Sequence, residues 1–118
     1  MFHKEFGSKL MVVADDLVVT NPKFLEKAVE KKLANAVIVK PNQVGTLTET
    51  LDFIKMAQKA KMELCVSHRS GDTAEDTFIA DLALGVGAEF MKSGAPVRGE
   101  RVAKYNRLLD IFFEKRKA

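Results

Sequence analysis

Short, almost wholly apolar runs recur along this chain and alternate with longer segments of helical periodicity. Such runs are typical of parallel strands that are covered on both faces. The longer segments repeat their apolar residues at the spacing of an amphipathic helix. The predicted strands are Leu10–Ala14, Ala36–Val39, Leu64–Val66 and Ala88–Met91. The alternation predicts an α/β fold of four consecutive βα units, joined by right-handed crossovers.

Local signals mark where the helices begin. Asn21 can cap a helix that starts at Pro22, and Thr46 followed by Glu49 has the spacing of a capping box. Residues 41–45 are predicted to form a turn, and the last helix is predicted over residues 100–116. The residues expected to face inward are Leu25, Ala28, Val29, Leu33, Leu47, Leu51, Ile54, Ala57, Phe78, Ile79, Leu82, Ala83, Val102, Leu108, Leu109 and Phe112.

Four βα units make half of an eight-stranded barrel, which typically needs about 250 residues. We expect one domain over residues 1–118, because no linker or low-complexity segment interrupts the pattern. Helices on one face of the sheet would leave the other face uncovered and two strand edges unpaired, which is an aggregation hazard. We therefore expect a partner, either a second copy of the chain or a different chain.

A polar residue follows each predicted strand. These residues are Asp15, Lys40, His68 and Lys92, at intervals of 25, 28 and 24 residues. Because the carboxyl ends of consecutive parallel strands meet at one face of a barrel or open sheet, we expect these side chains to converge. An acid, two lysines and a His-Arg-Ser sequence predict a site for a small phosphorylated acid, with or without a metal.

The cationic residues suit proton abstraction and phosphate binding. Lys40 can act as a base only when unprotonated, which a second cation such as Lys92 would favour; alternatively, each lysine only reaches solvent past its strand. Arg69 and Ser70 carry donors suited to phosphate, and Gly71 permits close approach of the backbone. A nucleophilic Ser-His-Asp triad is excluded, because neighbouring strand-end side chains point apart and no nucleophile elbow is present.

Asp15 is the candidate metal ligand, since a carboxylate at a strand end can bind Mg²⁺ through its oxygens. An Asp at this place is also a common turn or cap residue, so both interpretations stay open.

Composition narrows the class of protein further. The net charge of +3 is spread along the chain, and its densest run, residues 115–117, is expected to be a solvated helix end, so no nucleic-acid partner is predicted. No membrane span is predicted, since no apolar run approaches about 20 residues, and the N-terminus lacks a signal-peptide core. The single cysteine, Cys65, is predicted to be a small buried hydrophobe in a cytoplasmic protein.

Seven segments together resemble the C-terminal half of the barrel domain of enolase, in order and over essentially the whole chain. They are Val13–Leu17, Thr20–Lys23, Lys40–Thr46, Ser67–Gly71, Asp76–Leu82, Lys92–Pro96 and Arg101–Asn106. Residues 97–109 look closest to archaeal forms. Enolases dehydrate 2-phosphoglycerate to phosphoenolpyruvate in glycolysis and run the reverse reaction in gluconeogenesis. They use Mg²⁺ and an eight-stranded barrel behind a separate N-terminal domain.

The resemblance implies a role for each strand-end residue. Asp15 would be a metal ligand, and Lys40 the base that removes the proton next to the carboxylate. His68, Arg69 and Ser70 would contact substrate, the last two at its phosphate. Lys92 would contact substrate and, through its charge, help keep Lys40 unprotonated.

The resemblance also implies missing parts. In the family, two further metal-ligand carboxylates, the glutamates that help expel the hydroxyl and a mobile serine loop lie upstream of the matching segment. We expect the chain to be inactive without that half. The alternatives are a non-catalytic half-barrel that binds phosphate or assembles with a partner, a different lyase or isomerase that uses both lysines, and a truncated gene product. The loop over residues 70–76 is one residue longer than the common enolase form.

Overall fold

The computed structural model describes residues 2–117. Four parallel strands alternate with helices, which confirms the predicted α/β fold of consecutive βα units. The elements in chain order are α1 Phe2–Phe6, β1 Val13–Ala14, α2 Pro22–Glu30, β2 Ala36–Val39, α3 Pro41–Val44, α4 Leu47–Lys59, β3 Glu63–Ser67, α5 Phe78–Gly85, β4 Phe90–Lys92 and α6 Gly99–Lys117. No helix in the described part of the chain is long and apolar enough to cross a membrane.

The chain divides into two compact units, Met1–Cys65 and Val66–Ala118. In the first unit, β1 pairs in parallel with β2, with Val13 opposite Ala36, and the start of β3 lies beside β2. In the second unit, the end of β3 lies beside β4. That residues 1–118 behave as one domain remains a prediction.

The first unit buries the apolar face of its helices against its strands, and its caps follow the sequence. Asn21 accepts a hydrogen bond from Lys23 N–H, and the Thr46 hydroxyl oxygen accepts one from Glu49 N–H, as predicted. Each bond satisfies a backbone donor that has no partner within its helix. The buried apolar residues of this unit are Ala14, Val18, Leu25, Ala28, Ala34, Ala36, Val37, Val39, Phe53, Ile54, Ala57, Met62 and Leu64.

Several predictions for the first unit were wrong in detail. β1 begins at Val13 rather than at Leu10, because Leu10 N–H bonds back to Phe6 O and Asn35 Oδ1 accepts from Val12 N–H. The predicted turn over residues 41–45 is instead a one-turn helix that Gly45 ends at a φ of 101°. Leu47, predicted to be buried, is exposed because it occupies the first position of α4.

The second unit has a smaller core than the first. Its core consists of Val66, Ile79, Ala80, Leu82 and Ala83.

Phe78, Leu109 and Phe112 were predicted to face inward, but all three are exposed. Phe78 is the first residue of α5. α6 has 19 residues and α5 has 8, so α6 extends about 16 Å beyond the length that α5 can cover. β4 also begins two residues later than predicted, at Phe90.

Candidate active site

Asp15 and Lys40 meet at the ends of the first two strands. Each residue directly follows its strand, and Lys40 Nζ lies 2.5 Å from Asp15 Oδ1. The lysine side chain is 14% exposed and the carboxylate is 32% exposed, so the pair is only partly shielded from water. The predicted convergence of strand-end residues therefore holds for this pair, within the first unit.

Thr20 supports this pair from behind. Its side chain is fully buried, its hydroxyl donates to Gln43 Oε1 over 2.7 Å, and its oxygen accepts from Lys40 N–H over 3.0 Å. Val19 and Thr20 have φ values of 43° and 54°. Left-handed backbone is unfavourable for β-branched residues by about 1–2 kcal/mol each. The loop thus retains strain at the place where it fixes the backbone of Lys40.

Sequence reasoning gave no role to Thr20 or Gln43. Both lie inside segments that carry the family resemblance, and this was their only signal. Neither left-handed backbone nor a hydrogen bond between two residues 23 positions apart produces a local sequence pattern.

His68 is anchored to β4 through two hydrogen bonds. Its backbone N–H donates to Lys92 O over 3.0 Å, and ring Nδ1 lies 2.8 Å from the same oxygen. A carbonyl oxygen can only accept, so Nδ1 carries a proton and donates. In the neutral ring Nε2 is then the acceptor nitrogen. Residues 68 and 92, both predicted site residues, are therefore joined at the ends of β3 and β4.

Arg69, Ser70 and Lys92 present their side chains to solvent. All three are exposed, and Gly71 follows Ser70 with a φ of 94°, a conformation that favours glycine. The arginine and the serine are thus accessible donors on a bend of the chain, as an anion site requires.

Asp72, the next residue of that loop, forms ion pairs with two residues of α6. Asp72 Oδ1 lies 3.2 Å from Arg101 Nη1, and Asp72 Oδ2 lies 2.7 Å from Lys104 Nζ. Oδ2 has no hydrogen-bond partner in the described residues, so its contact with Lys104 is an ion pair with poor hydrogen-bond alignment. Burial raises the pKa of Asp72, but the two cations outweigh it and hold that pKa below its ordinary value.

Gly94 lies beside His68 and α6. Its φ is 76°, and an added Cβ would lie 3.3 Å from Arg101 Cδ and 3.5 Å from His68 Cε1. Tyr105 donates its hydroxyl proton to Gly94 O over 2.6 Å. A side chain at this position would therefore press on the stem of Arg101 and contact the ring of His68.

Metal binding has limited support in this chain. Mg²⁺ prefers oxygen ligands, and the Asp15 carboxylate is of that kind. However, among residues 2–117 no three His, Cys, Asp or Glu side chains are grouped so that they could hold a metal ion. Lys40 already engages one oxygen of Asp15. The described residues therefore offer one candidate ligand and not a magnesium centre.

Cys65 differs from its prediction as well. Its side chain is partly accessible rather than buried.

Comparison with known proteins identifies the family. The family model "Enolase, C-terminal TIM barrel domain" matches residues 1–116. Enolase from Sulfurisphaera tokodaii is 57% identical over 103 residues, covering 87% of this chain and 24% of that relative. Enolase from Elusimicrobium minutum is 57% identical over 108 residues, covering 92% and 25%. Enolase 2 from Lactobacillus johnsonii is 56% identical over 110 residues, covering 93% and 26%.

These identities are nearly equal, so they do not establish a special likeness to archaeal forms. The chain spans about a quarter of the length of the curated relatives it matches. Since the family model covers nearly every residue, the chain belongs to the enolase family and corresponds to part of its C-terminal TIM barrel domain.

Proposed function

We propose that this chain contributes the base and the phosphate contacts of an enolase reaction, the dehydration of 2-phosphoglycerate to phosphoenolpyruvate. The observation that carries the proposal is the Asp15–Lys40 pair at two adjacent strand ends, in a chain of the enolase family. The proposal includes the expectation that the chain needs the rest of an enolase to act.

Lys40 is the proposed base. Its amine takes the proton from the carbon next to the substrate carboxylate, and the electrons of the broken C–H bond form the new double bond as the hydroxyl leaves. The ion pair with Asp15 must open before Nζ can reach a substrate proton, because the ammonium is directed at the carboxylate. In the assembled enzyme Asp15 is a proposed Mg²⁺ ligand, and the other ligands and the acid belong to the rest of an enolase.

Four residues of the second unit are the proposed substrate contacts. Arg69 and Ser70 donate to the phosphate, and the cationic Lys92 offsets negative charge on the substrate. His68 can accept a substrate proton or hydrogen bond at Nε2, because its Nδ1 proton is committed to Lys92 O. These assignments follow from the family and from the accessibility of the side chains.

Fragment complementation tests the proposal. The full chain is mixed with the part of Elusimicrobium minutum enolase that precedes the matching segment, with Mg²⁺ and 2-phosphoglycerate, and phosphoenolpyruvate is followed by its ultraviolet absorbance. We expect product only when both parts are present. Well-folded parts that associate and give no product would contradict the catalytic proposal.

A second candidate is a non-catalytic half-barrel that keeps an anion site. It is favoured by one observation: the described ties that hold the Arg69–Ser70 loop join residues of the second unit to one another and do not involve Lys40. Binding of 2-phosphoglycerate to the chain, combined with no product in the complementation experiment, would support this candidate.

The proposals on localisation, partner and archaeal likeness are the same for both candidate functions. We infer a cytoplasmic protein whose partner is a second copy or a complementing enolase segment, and an archaeal likeness over residues 97–109 stays a prediction. Sedimentation of the chain with and without Mg²⁺ would test the partner. A well-folded monomer under both conditions would contradict a homo-oligomer.

A further inference from the structure

Asp72, Arg101 and Lys104 form a charged group that the proposed chemistry does not use; we refer to it as the anchor cluster. Lys104 is only 1% exposed, although it carries a charge. Its Nζ has two close oxygen neighbours, Asp72 Oδ2 at 2.7 Å and Glu100 O at 2.8 Å. A buried ammonium loses its hydration, and removing its carboxylate partner is strongly destabilising.

The anchor cluster acts on the loop that carries the phosphate contacts. Asp72 comes two residues after Ser70 and three after Arg69, with the bend at Gly71 between them. Farther along, the bonds that this loop makes within residues 2–117 are local, such as Asp76 N–H to Thr73 O at 3.3 Å. Asp72 is therefore the point at which this loop is fixed to a long helix.

The same end of α6 also supports the neighbouring loop. Tyr105 bonds to Gly94 O, and the stem of Arg101 lies against Gly94, whose other neighbour is the His68 ring. Arg101 thus contacts both the Asp72 carboxylate and the loop that follows β4. A shift of Arg101 would move Asp72, which follows the exposed Arg69 and Ser70. It would also move Gly94, which lies beside the ring of His68, the residue before Arg69.

We propose that Asp72, Arg101 and Lys104 are positioning residues that set the affinity of the Arg69–Ser70 loop for a phosphate group. They do so by holding the loop in its bound geometry before the anion arrives, which lowers the ordering cost of binding. The proposal rests on the proposed function in one respect, that Arg69 and Ser70 bind phosphate.

The chain contains a matched control for simple stabilisation. Arg107, three residues after Lys104 on α6, forms a bidentate pair with Asp81 at 2.7–3.2 Å. This pair joins α6 to α5 and does not touch the 70–76 loop. Loss of the Arg107–Asp81 pair or of the anchor cluster weakens the packing of α6. Only loss of the anchor cluster releases the 70–76 loop.

The experiment measures phosphate binding by the full chain and its variants by NMR titration, first with inorganic phosphate and then with 2-phosphoglycerate. Urea unfolding in parallel corrects each affinity for the folded fraction. We expect Lys104→Met to raise Kd about tenfold, equivalent to about 1.4 kcal/mol, and Arg107→Met to leave Kd unchanged. Equal corrected losses in both variants would overturn the positioning role.

A double variant separates positioning from folding. Asp72→Asn alone leaves a buried unpaired ammonium and is expected to unfold readily, but Asp72→Asn with Lys104→Met removes both charges and is expected to fold. We expect this double variant to bind phosphate as weakly as Lys104→Met does. Wild-type affinity in a stable double variant would overturn the proposal.

Amide hydrogen exchange gives a readout that needs no ligand. Amides of residues 70–76 should exchange faster in Lys104→Met than in Arg107→Met of equal stability. Failure of the wild-type chain to bind either ligand would contradict the phosphate role of Arg69 and Ser70, while the exchange rates would still test the anchor. Unchanged loop exchange in Lys104→Met would contradict the anchor itself.

Discussion

The two compact units hold their candidate chemistry in opposite ways. In the first unit, the candidate side chains Lys40 and Asp15 contact each other directly, and the Thr20 hydroxyl accepts from the backbone N–H of Lys40. In the second unit, Arg69 and Lys92 are exposed, and the order comes from backbone and ionic ties around them. The first arrangement brings two oppositely charged side chains into contact, whereas an anion site requires accessible donors on a fixed loop.

The largest effect should come from removing the amine of Lys40, the proposed base. We expect Lys40→Met to lower phosphoenolpyruvate formation in the complementation experiment about a thousandfold, the order that a general base contributes. Phosphate binding by the second unit should remain, because the ties described for its loop do not involve Lys40. The control is Lys55→Met, which removes an exposed lysine of α4 from the same unit. Equal activity of the two variants would remove Lys40 from the mechanism.

A second test breaks the support behind Lys40. Thr20→Val keeps the shape of the side chain but leaves Lys40 N–H and Gln43 Oε1 without their hydroxyl partner, which should cost about 1–3 kcal/mol of unfolding free energy. The measurements are urea unfolding and hydrogen exchange at the Lys40 amide. Thr20→Ser keeps the hydroxyl and should largely preserve that amide's protection. A protected Lys40 amide in the valine variant would show that the hydroxyl does not hold it.

A third test addresses the backbone of the second unit. We expect Gly94→Ala to lower the unfolding free energy by about 1–2 kcal/mol, because alanine is strained at its positive φ. The new methyl group should also shift the NMR signal of His68 Cε1, which lies 3.5 Å from the added atom. Gly87→Ala is the control, since it shares a positive φ but has open space around it. Equal ring shifts in both variants would refute the predicted contact.

The smallest effect is a dependence of stability on pH in the second unit. Hydrogen bonds from Arg107 hold the pKa of Asp81 below its ordinary value, and the Asp72 pKa is low because two cations outweigh its burial. A lowered carboxyl pKa adds stability above the ordinary carboxyl pKa, and this stability is lost as pH falls through the folded-state pKa. Acid titration of the unit should show this loss, and Asp81→Asn should reduce it. A titration curve unchanged by that substitution would exclude Asp81 as a contributor.

Much of this architecture could be predicted from the sequence. The apolar runs predicted the positions of the strands because strand residues are buried, as Val37, Val39 and Val66 are. The convergence of Asp15 with Lys40 could be predicted because the carboxyl ends of neighbouring parallel strands lie at the same edge.

The rest depends on structure that no local pattern encodes. The tie between Asp72 and Arg101 joins residues 29 apart, and it exists only once α6 is in place. The left-handed backbone at Val19 and Thr20 contradicts the preference of both residue types, so propensity would predict against it. Leu109 and Phe112 have helical apolar spacing, but periodicity does not show whether a neighbouring element extends far enough to cover them.

The hydrogen bond between His68 and Lys92 O divides two tasks between the atoms of one ring. One nitrogen keeps the residue in place, while the other can exchange a proton with a bound molecule and leave that attachment intact. Asparagine at position 68 could imitate the holding nitrogen, whereas glutamine could occupy the place of the other nitrogen but could not exchange a proton. Because these tasks belong to different atoms, the anchoring and the chemistry of this residue can be altered separately.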